Sequence, residues 1–354
     1  MRNPLRSILA ERIRQRGPLR LDEYMRIALT DPLHGYYITR DPLGAGGDFT
    51  TAPEISQLFG EMIGVWIADC WDAMGRPRHL KIVELGPGRG TLMADILRTL
   101  KVAPAMLPEP YLVEASPALR AVQQRRVAGH WVDDLDEVPD GPMVLIANEF
   151  LDALPVRQFV RQQDGWHERM IGLSPDGETL TWTVSDGLAE GTAPAFEEAA
   201  PGTIAETAPD ALALVRQIAA RLSAQGGAAL FIDYGSVESR TGDSLQAVRG
   251  HQYADPLDAP GEADLTAHVD FASLAAAARD SGAAVHGPVP QSLFLDAIGL
   301  FHRAQALKRN ATQAQAREID LGAHRLTAPD QMGTLFKVLA ITDPSMPQPT
   351  GFAS

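Results

Sequence analysis

Apolar residues along this chain keep two rhythms, and the change from one to the other marks its organisation. Near the start, Leu5, Ile8, Leu9 and Ile13 recur at helical spacing and predict the buried face of a helix. Residues 3–30 read as two helices broken at Gly17-Pro18, the second beginning near Leu21-Asp22. A turn is expected at 31–37, then a glycine-rich loop from 41 to 48. A helix follows over 56–74, with Leu58, Met62, Trp66 and Trp71 near one face. Short continuous apolar runs then take over at 81–85, 111–114, 130–132, 143–148 and 226–234, with helices over 117–128 and 209–224. Such runs, alternating with helices, predict strands buried on both faces of a doubly wound, mostly parallel sheet: an α/β fold.

Residues 156–185 break that pattern. Three strand-like runs are separated by Asp164-Gly165 and Pro175-Asp176-Gly177, which is hairpin punctuation, so an inserted antiparallel meander is expected. An Ala/Gly/Pro-rich connection over 187–201 follows it. Beyond the run at 226–234 come a long loop (236–263), helices near 271–281, 291–310 and 312–321, a strand over 333–341 and a proline-rich tail. The expected organisation is an amino-terminal helical segment that also lids a cofactor (1–75), a core split into 76–155 and 205–345, and an inserted arm for substrate or partner (156–204).

Composition narrows the function. With 45% hydrophobic and 21% charged residues, the chain reads as globular with a substantial core. A net charge of −14 argues against general nucleic-acid binding. Apolar runs such as 143–147 are too short to cross a bilayer, so stable membrane insertion is not expected. Cys70 is the single cysteine, which excludes a disulfide framework and a cysteine-based zinc site; no metal is expected. Seven arginines fall within the first 26 residues. They would suit a mitochondrial presequence, but the helical face formed by Leu5, Ile8, Leu9 and Ile13 is the preferred reading.

The most informative stretch is KIVELGPGRGTL, residues 81–92. An apolar strand ends in Glu84, then Gly86, Gly88 and Gly90 stand on alternate positions before a helix. Glycines here let the backbone turn tightly and approach a ligand without an intervening Cβ. A dinucleotide fold needs G-x-G-x-x-G, which this is not. The order E-x-G-x-G-x-G resembles motif I of S-adenosylmethionine methyltransferases; Glu84 would suit the ammonium of the methionine moiety and repel a pyrophosphate. Glu114, 24 residues beyond Gly90, is placed to accept from ribose hydroxyls. Asp133 and Asp134 end the next strand and could accept from an adenine amino group, or form a solvated pair beside Asp136 and Glu137. Asn148-Glu149 ends the fourth strand, with Asp152 just beyond. Buried carboxylates there call for a cationic partner; Asp152 could instead cap the following segment.

Four segments in this order are similar to the MidA family: DFTTAPEISQLFGE (48–61), ELGPGRGTL (84–92), NEFLDALP (148–155) and ADLTAHVDF (263–271). The similarity covers about residues 5 to 342. It implies a class I methyltransferase fold with S-adenosylmethionine as cofactor. It also implies arginine methylation on a protein substrate, a core subunit of respiratory complex I near the quinone pocket. Within that frame Glu149 is the first candidate to hold a guanidinium and Asp152 the second. His268 would orient it or relay its proton, or else simply cap the helix near Phe271. Thr50, Thr51 and Ser56, on the segment that would close over the cofactor, are hydroxyl donors for the methionine carboxylate. Asn148 completes the cofactor set. The chain begins almost at the family's homologous region, so a bacterial, cytoplasmic protein is expected, with the mitochondrial matrix for eukaryotic relatives. Other readings stay open: a non-catalytic cofactor-binding assembly factor, a small-molecule methyltransferase, and a homodimeric state.

Overall fold

The computed structural model describes residues 3–39, 50–103, 105–189, 196 and 198–352. Its main sheet contains β1 (His79–Leu85), β2 (Leu107–Val113), β3 (His130–Val132), β4 (Met143–Asn148), β5 (Gly227–Ser236), β6 (Ala284–Pro290) and β7 (Phe336–Thr342). The order across the sheet is β6-β7-β5-β4-β1-β2-β3, with the short strand Val269–Asp270 added beside the end of β5. β7 alone runs antiparallel to its neighbours, and β5, β4, β1, β2 and β3 are parallel. From β1 the chain winds outward to β3 and then returns to β4 on the other side of β1. The strand order therefore reverses between β1 and β4, where an open α/β sheet takes its ligands.

The central strands are apolar throughout because both faces are covered. Every residue of β4 is buried. On one face, Ile82, Val144, Ile146 and Ile232 pack with α3 (Gln57–Ala73) and α4 (Thr91–Leu100). On the other, Val83, Leu145 and Phe231 pack with α6 (Pro209–Gln225) and α7 (Phe271–Asp280). The face of α3 predicted from Leu58, Met62, Trp66 and Trp71 is indeed the buried one.

At the amino terminus, Pro4–Arg16 and Leu21–Thr30 are helices, the first capped by Asn3 Oδ1, which accepts from Arg6 N at 2.9 Å. Leu5, Leu9 and Ile13 are buried as their spacing predicts; Ile8 is exposed, one step round the helix from that face. Between the two helices, Leu19–Arg20 pairs with the strand Trp166–Leu173. The meander is present as Arg157–Arg161, Trp166–Leu173 and Leu180–Leu188, all antiparallel. Ile204–Thr207 joins its far edge by pairing with Arg157–Arg161, so this sheet runs past residue 204 into the segment expected to open the second half of the core.

Two further differences have local causes. The expected loop over 236–263 contains two strands, Gln246–Arg249 and Gln252–Ala254, which form a small sheet with Asp264–Thr266. The helix expected over 291–310 is two, Gln291–Ala297 and Leu300–Lys308, separated at Gly299, whose φ is +97°. The glycine-rich loop expected at 41–48 lies outside the described residues. Among the described residues, no helix is long and apolar enough to cross a membrane.

Candidate active site

A cavity of about 450 Å³ opens at the carboxyl ends of β1, β2, β4 and β5. Its floor is the glycine turn. Gly86, Gly88 and Gly90 have φ of +59°, +52° and +76°, a region L-residues enter at a cost of roughly 1–2 kcal/mol. A Cβ on Gly86 would also stand 2.6 Å from the Phe150 ring. Gly90 caps the start of α4, which gives the cavity a helix N-terminus.

Glu84 is 3% exposed, and its Oε2 meets no donor among the described residues. Burial pushes its carboxyl up to about 8, opposed by the Met93 backbone N–H and reinforced by Glu114. Such a group calls for a cation. Glu114 stands at the end of β2, accepting from Ser116 N at 2.8 Å and Gln123 Nε2 at 3.1 Å; burial raises it too. An ammonium suits Glu84 and a diol suits Glu114, so the donor set fits the aminoacyl and ribose ends of S-adenosylmethionine.

At the end of β4 the backbone turns sharply. Glu149 has φ +51°, an uncommon conformation for a residue with a long side chain, and its N–H donates to Ile232 O at 2.9 Å. Its Oε1 accepts from Ala52 N at 2.7 Å and Asn148 Nδ2 at 3.1 Å. Asn148 Oδ1 has no donor among the described residues. Burial raises Glu149 to about 7, with Asp152 adding to the rise. Asp152 is raised to about 6 by burial, opposed by the nearby Tyr234 hydroxyl.

Asp233, which no motif in the sequence marks, holds this turn in place. It is wholly buried on β5, and its Oδ2 accepts three backbone N–H groups: Phe150 at 3.1 Å, Leu151 at 3.0 Å and Asp152 at 3.2 Å. Burial and the carboxylates of Asp152 and Glu149 push its pKa up, while those donors act to hold it down. The Asp-Tyr pair at the end of an apolar run was the available signal.

Residues 62–289 match the family described as "Putative S-adenosyl-L-methionine-dependent methyltransferase". The chain is 36% identical to "Protein arginine methyltransferase NDUFAF7, mitochondrial" of Danio rerio, over 94% of this chain and 85% of that protein. It is 35% identical to the Homo sapiens protein of the same name, over 96% and 83%. A solved structure from Burkholderia thailandensis, bound to S-adenosyl-homocysteine, matches with a TM-score of 0.86 at 30% identity, covering 98% of this chain and 93% of that one. The chain belongs to the MidA/NDUFAF7 family of S-adenosylmethionine-dependent methyltransferases.

In this methyltransferase the cavity gathers most of the residues singled out from sequence. Glu84, Gly86, Gly88, Glu114, Asn148, Glu149, Asp152 and Thr51 line it, and Gly90 sits at its edge as the helix cap. Others lie outside its lining. Asp133 is exposed and paired with Arg120, and Asp134 turns back to accept from Asp136 N at 3.1 Å; the solvated-pair reading describes them. Ser56 caps α3, its Oγ accepting from Leu58 N at 3.2 Å, and Thr50 is absent from the wall. His268 is exposed, its ring edge-on to Tyr234 at 5.3 Å, so it stands behind the cavity wall. Loss of water on the side of the ring packed against Tyr234 lowers its pKa, and so does Lys337.

Proposed function

We propose that the chain transfers a methyl group from S-adenosylmethionine to an arginine side chain of a protein, a core subunit of respiratory complex I, in a bacterial cytoplasm. The observation that carries this reading is the set of carboxylates at the strand ends. Glu149 and Asp152 line one cavity with no salt-bridge partner within 4.0 Å among the described residues, and a guanidinium is the side chain whose planar fork of donors matches them. The names of the vertebrate relatives point to the same substrate class, and the bacterial relative supports the setting.

S-adenosylmethionine supplies an electrophilic methyl group; the chain supplies placement. Glu84, Glu114 and the glycine turn would hold the cofactor. Glu149, fixed by its strained backbone and by Ala52 N–H, would orient the guanidinium, and orientation of this kind is worth on the order of 7–11 kcal/mol. Arrival of a cation favours the ionised form of Glu149. With a pKa near neutrality, the same carboxylate is suited to receive the proton shed by the methylated nitrogen. Incubating candidate bacterial complex I core subunits with labelled S-adenosylmethionine should give a mass shift on an arginine peptide. Label appearing only on free metabolites would overturn the protein substrate.

A further inference from the structure

The cavity does not end at Asp152. It continues beneath the amino-terminal segment, where Tyr37 and Asp264 form part of its wall. Tyr37 donates its hydroxyl to Asp264 Oδ1 at 2.7 Å. Asp264 is 6% exposed, a carboxylate buried against the cavity. The Tyr37 hydroxyl also lies in the field of Asp152, a carboxylate that comes from a different element.

The arrangement repeats on the other side. The Tyr234 hydroxyl lies in the field of Asp152 and close to Thr266. Thr266 lies two residues beyond Asp264 on the strand Asp264–Thr266, and Ala267 N then donates to Asp152 O at 2.9 Å. One strand thus ties the Asp152 turn to Asp264 and sets both carboxylates at fixed positions. Tyr37 keeps its own place by packing edge-on against Tyr36, ring centroids 5.2 Å apart. Arg26, on the same wall, is bonded to Asp210 at 2.7 Å.

We propose that Asp264, oriented by the Tyr37 hydroxyl, is a specificity-determining anchor for the cationic methyl acceptor, acting with Glu149 and Asp152 from a separate element. The proposal rests on the guanidinium reading given above and deepens it. Five N–H donors in a plane can serve carboxylates on two sides at once, whereas an ammonium offers three donors from one point. Asp264 would therefore select arginine over lysine. Asp264 is expected to touch substrate; Tyr37 is a positioning residue that acts through it.

The test uses the full chain loaded with S-adenosyl-homocysteine, and the amides of Nα-acetyl-arginine, Nα-acetyl-lysine and Nα-acetyl-citrulline as probes, titrated by calorimetry or NMR. Asp264→Asn keeps the size and the acceptor for Tyr37 but removes the charge. It should weaken the arginine probe about tenfold or more, leave the neutral citrulline probe within about twofold, and leave S-adenosyl-homocysteine affinity unchanged. Tyr37→Phe keeps the ring contact and should weaken the arginine probe by about threefold in the same pattern. The unchanged product affinity serves as the control for folding. If the wild type binds the arginine probe and Asp264→Asn leaves that binding intact, or weakens all three probes equally, the anchor is refuted while the arginine reading stands. If the wild type prefers lysine and Asp264→Asn abolishes that preference, the arginine reading falls and the cation anchor stands. If neither cationic probe binds better than citrulline, both fall.

Discussion

Replacing Glu84 by Gln should make the ligand-free protein more stable at alkaline pH while abolishing its affinity for S-adenosylmethionine. Glu84 is buried with one oxygen unpartnered and its carboxyl raised from 4.5 to about 8. The folded state therefore keeps a proton that the unfolded chain has released. Its contribution to stability is present below pH 4.5 and is lost as pH rises to about 8, because the unfolded state binds fewer protons across that window. The loss is at most roughly 1.4 kcal/mol per pH unit, hence on the order of 4 kcal/mol between pH 5 and pH 8. Gln cannot ionise, so that slope disappears from the variant. Glu149 and Asp152 are raised for the same reason and add slopes of the same sign, so the informative quantity is the difference between the two proteins. Urea unfolding at pH 5.5, 7 and 8.5 gives that difference, and calorimetric titration at pH 7.5 gives cofactor affinity. A variant as pH-sensitive as the wild type would refute the buried-carboxyl account. One that still bound cofactor would remove Glu84 from the ammonium site.

Glu149→Gln should change cofactor affinity less than about threefold while lowering methyl transfer roughly 10²-fold, the scale of a charged pairing worth about 3 kcal/mol; measuring both on one purified variant separates substrate from cofactor roles. In the wild type, transfer should rise with pH through about 7 as Glu149 ionises, and the Glu149→Gln profile should lose that limb. Gly88→Val should abolish cofactor binding by calorimetry, because a β-branched residue is forced to φ +52° at the ligand surface. Asp233→Ala strands three backbone donors and should lower unfolding free energy by roughly 3 kcal/mol or more, at about 1–3 kcal/mol for each buried unpaired group, with transfer falling alongside; a variant of unchanged stability would show that the turn holds its shape without Asp233.

The parts of this molecule that were legible in its sequence are those fixed by local pattern. The run at 143–148 is a strand with those bounds, every one of its residues buried, and Gly86, Gly88 and Gly90 make the tight turn expected of them, all at positive φ. What escaped depended on neighbours far along the chain. Asp233 acts on Phe150, Leu151 and Asp152 only because β5 lies beside β4, and nothing in the sequence near residue 233 states that adjacency. Ser56 Oγ accepts from Leu58 N at the start of α3, and this cap depends on where the helix begins, which spacing alone does not fix. The strand Ala284–Pro290 was hidden by Gly287, Pro288 and Pro290, which read as breakers; as the edge strand of the sheet it tolerates them.

The one-turn helix Ala52–Ile55 touches both halves of the cavity at once. Ala52 N–H holds Glu149 Oε1 at 2.7 Å, and two residues from it Glu54 Oε1 accepts from Thr91 Oγ1 at 2.5 Å, at the start of the helix that rises from the glycine turn. One short turn of helix therefore carries a hydrogen bond to each side. With Glu149 on the proposed acceptor and Thr91 beside the cofactor turn, the affinities for methyl donor and methyl acceptor would be linked, and by reciprocity each ligand would alter the binding of the other by the same factor.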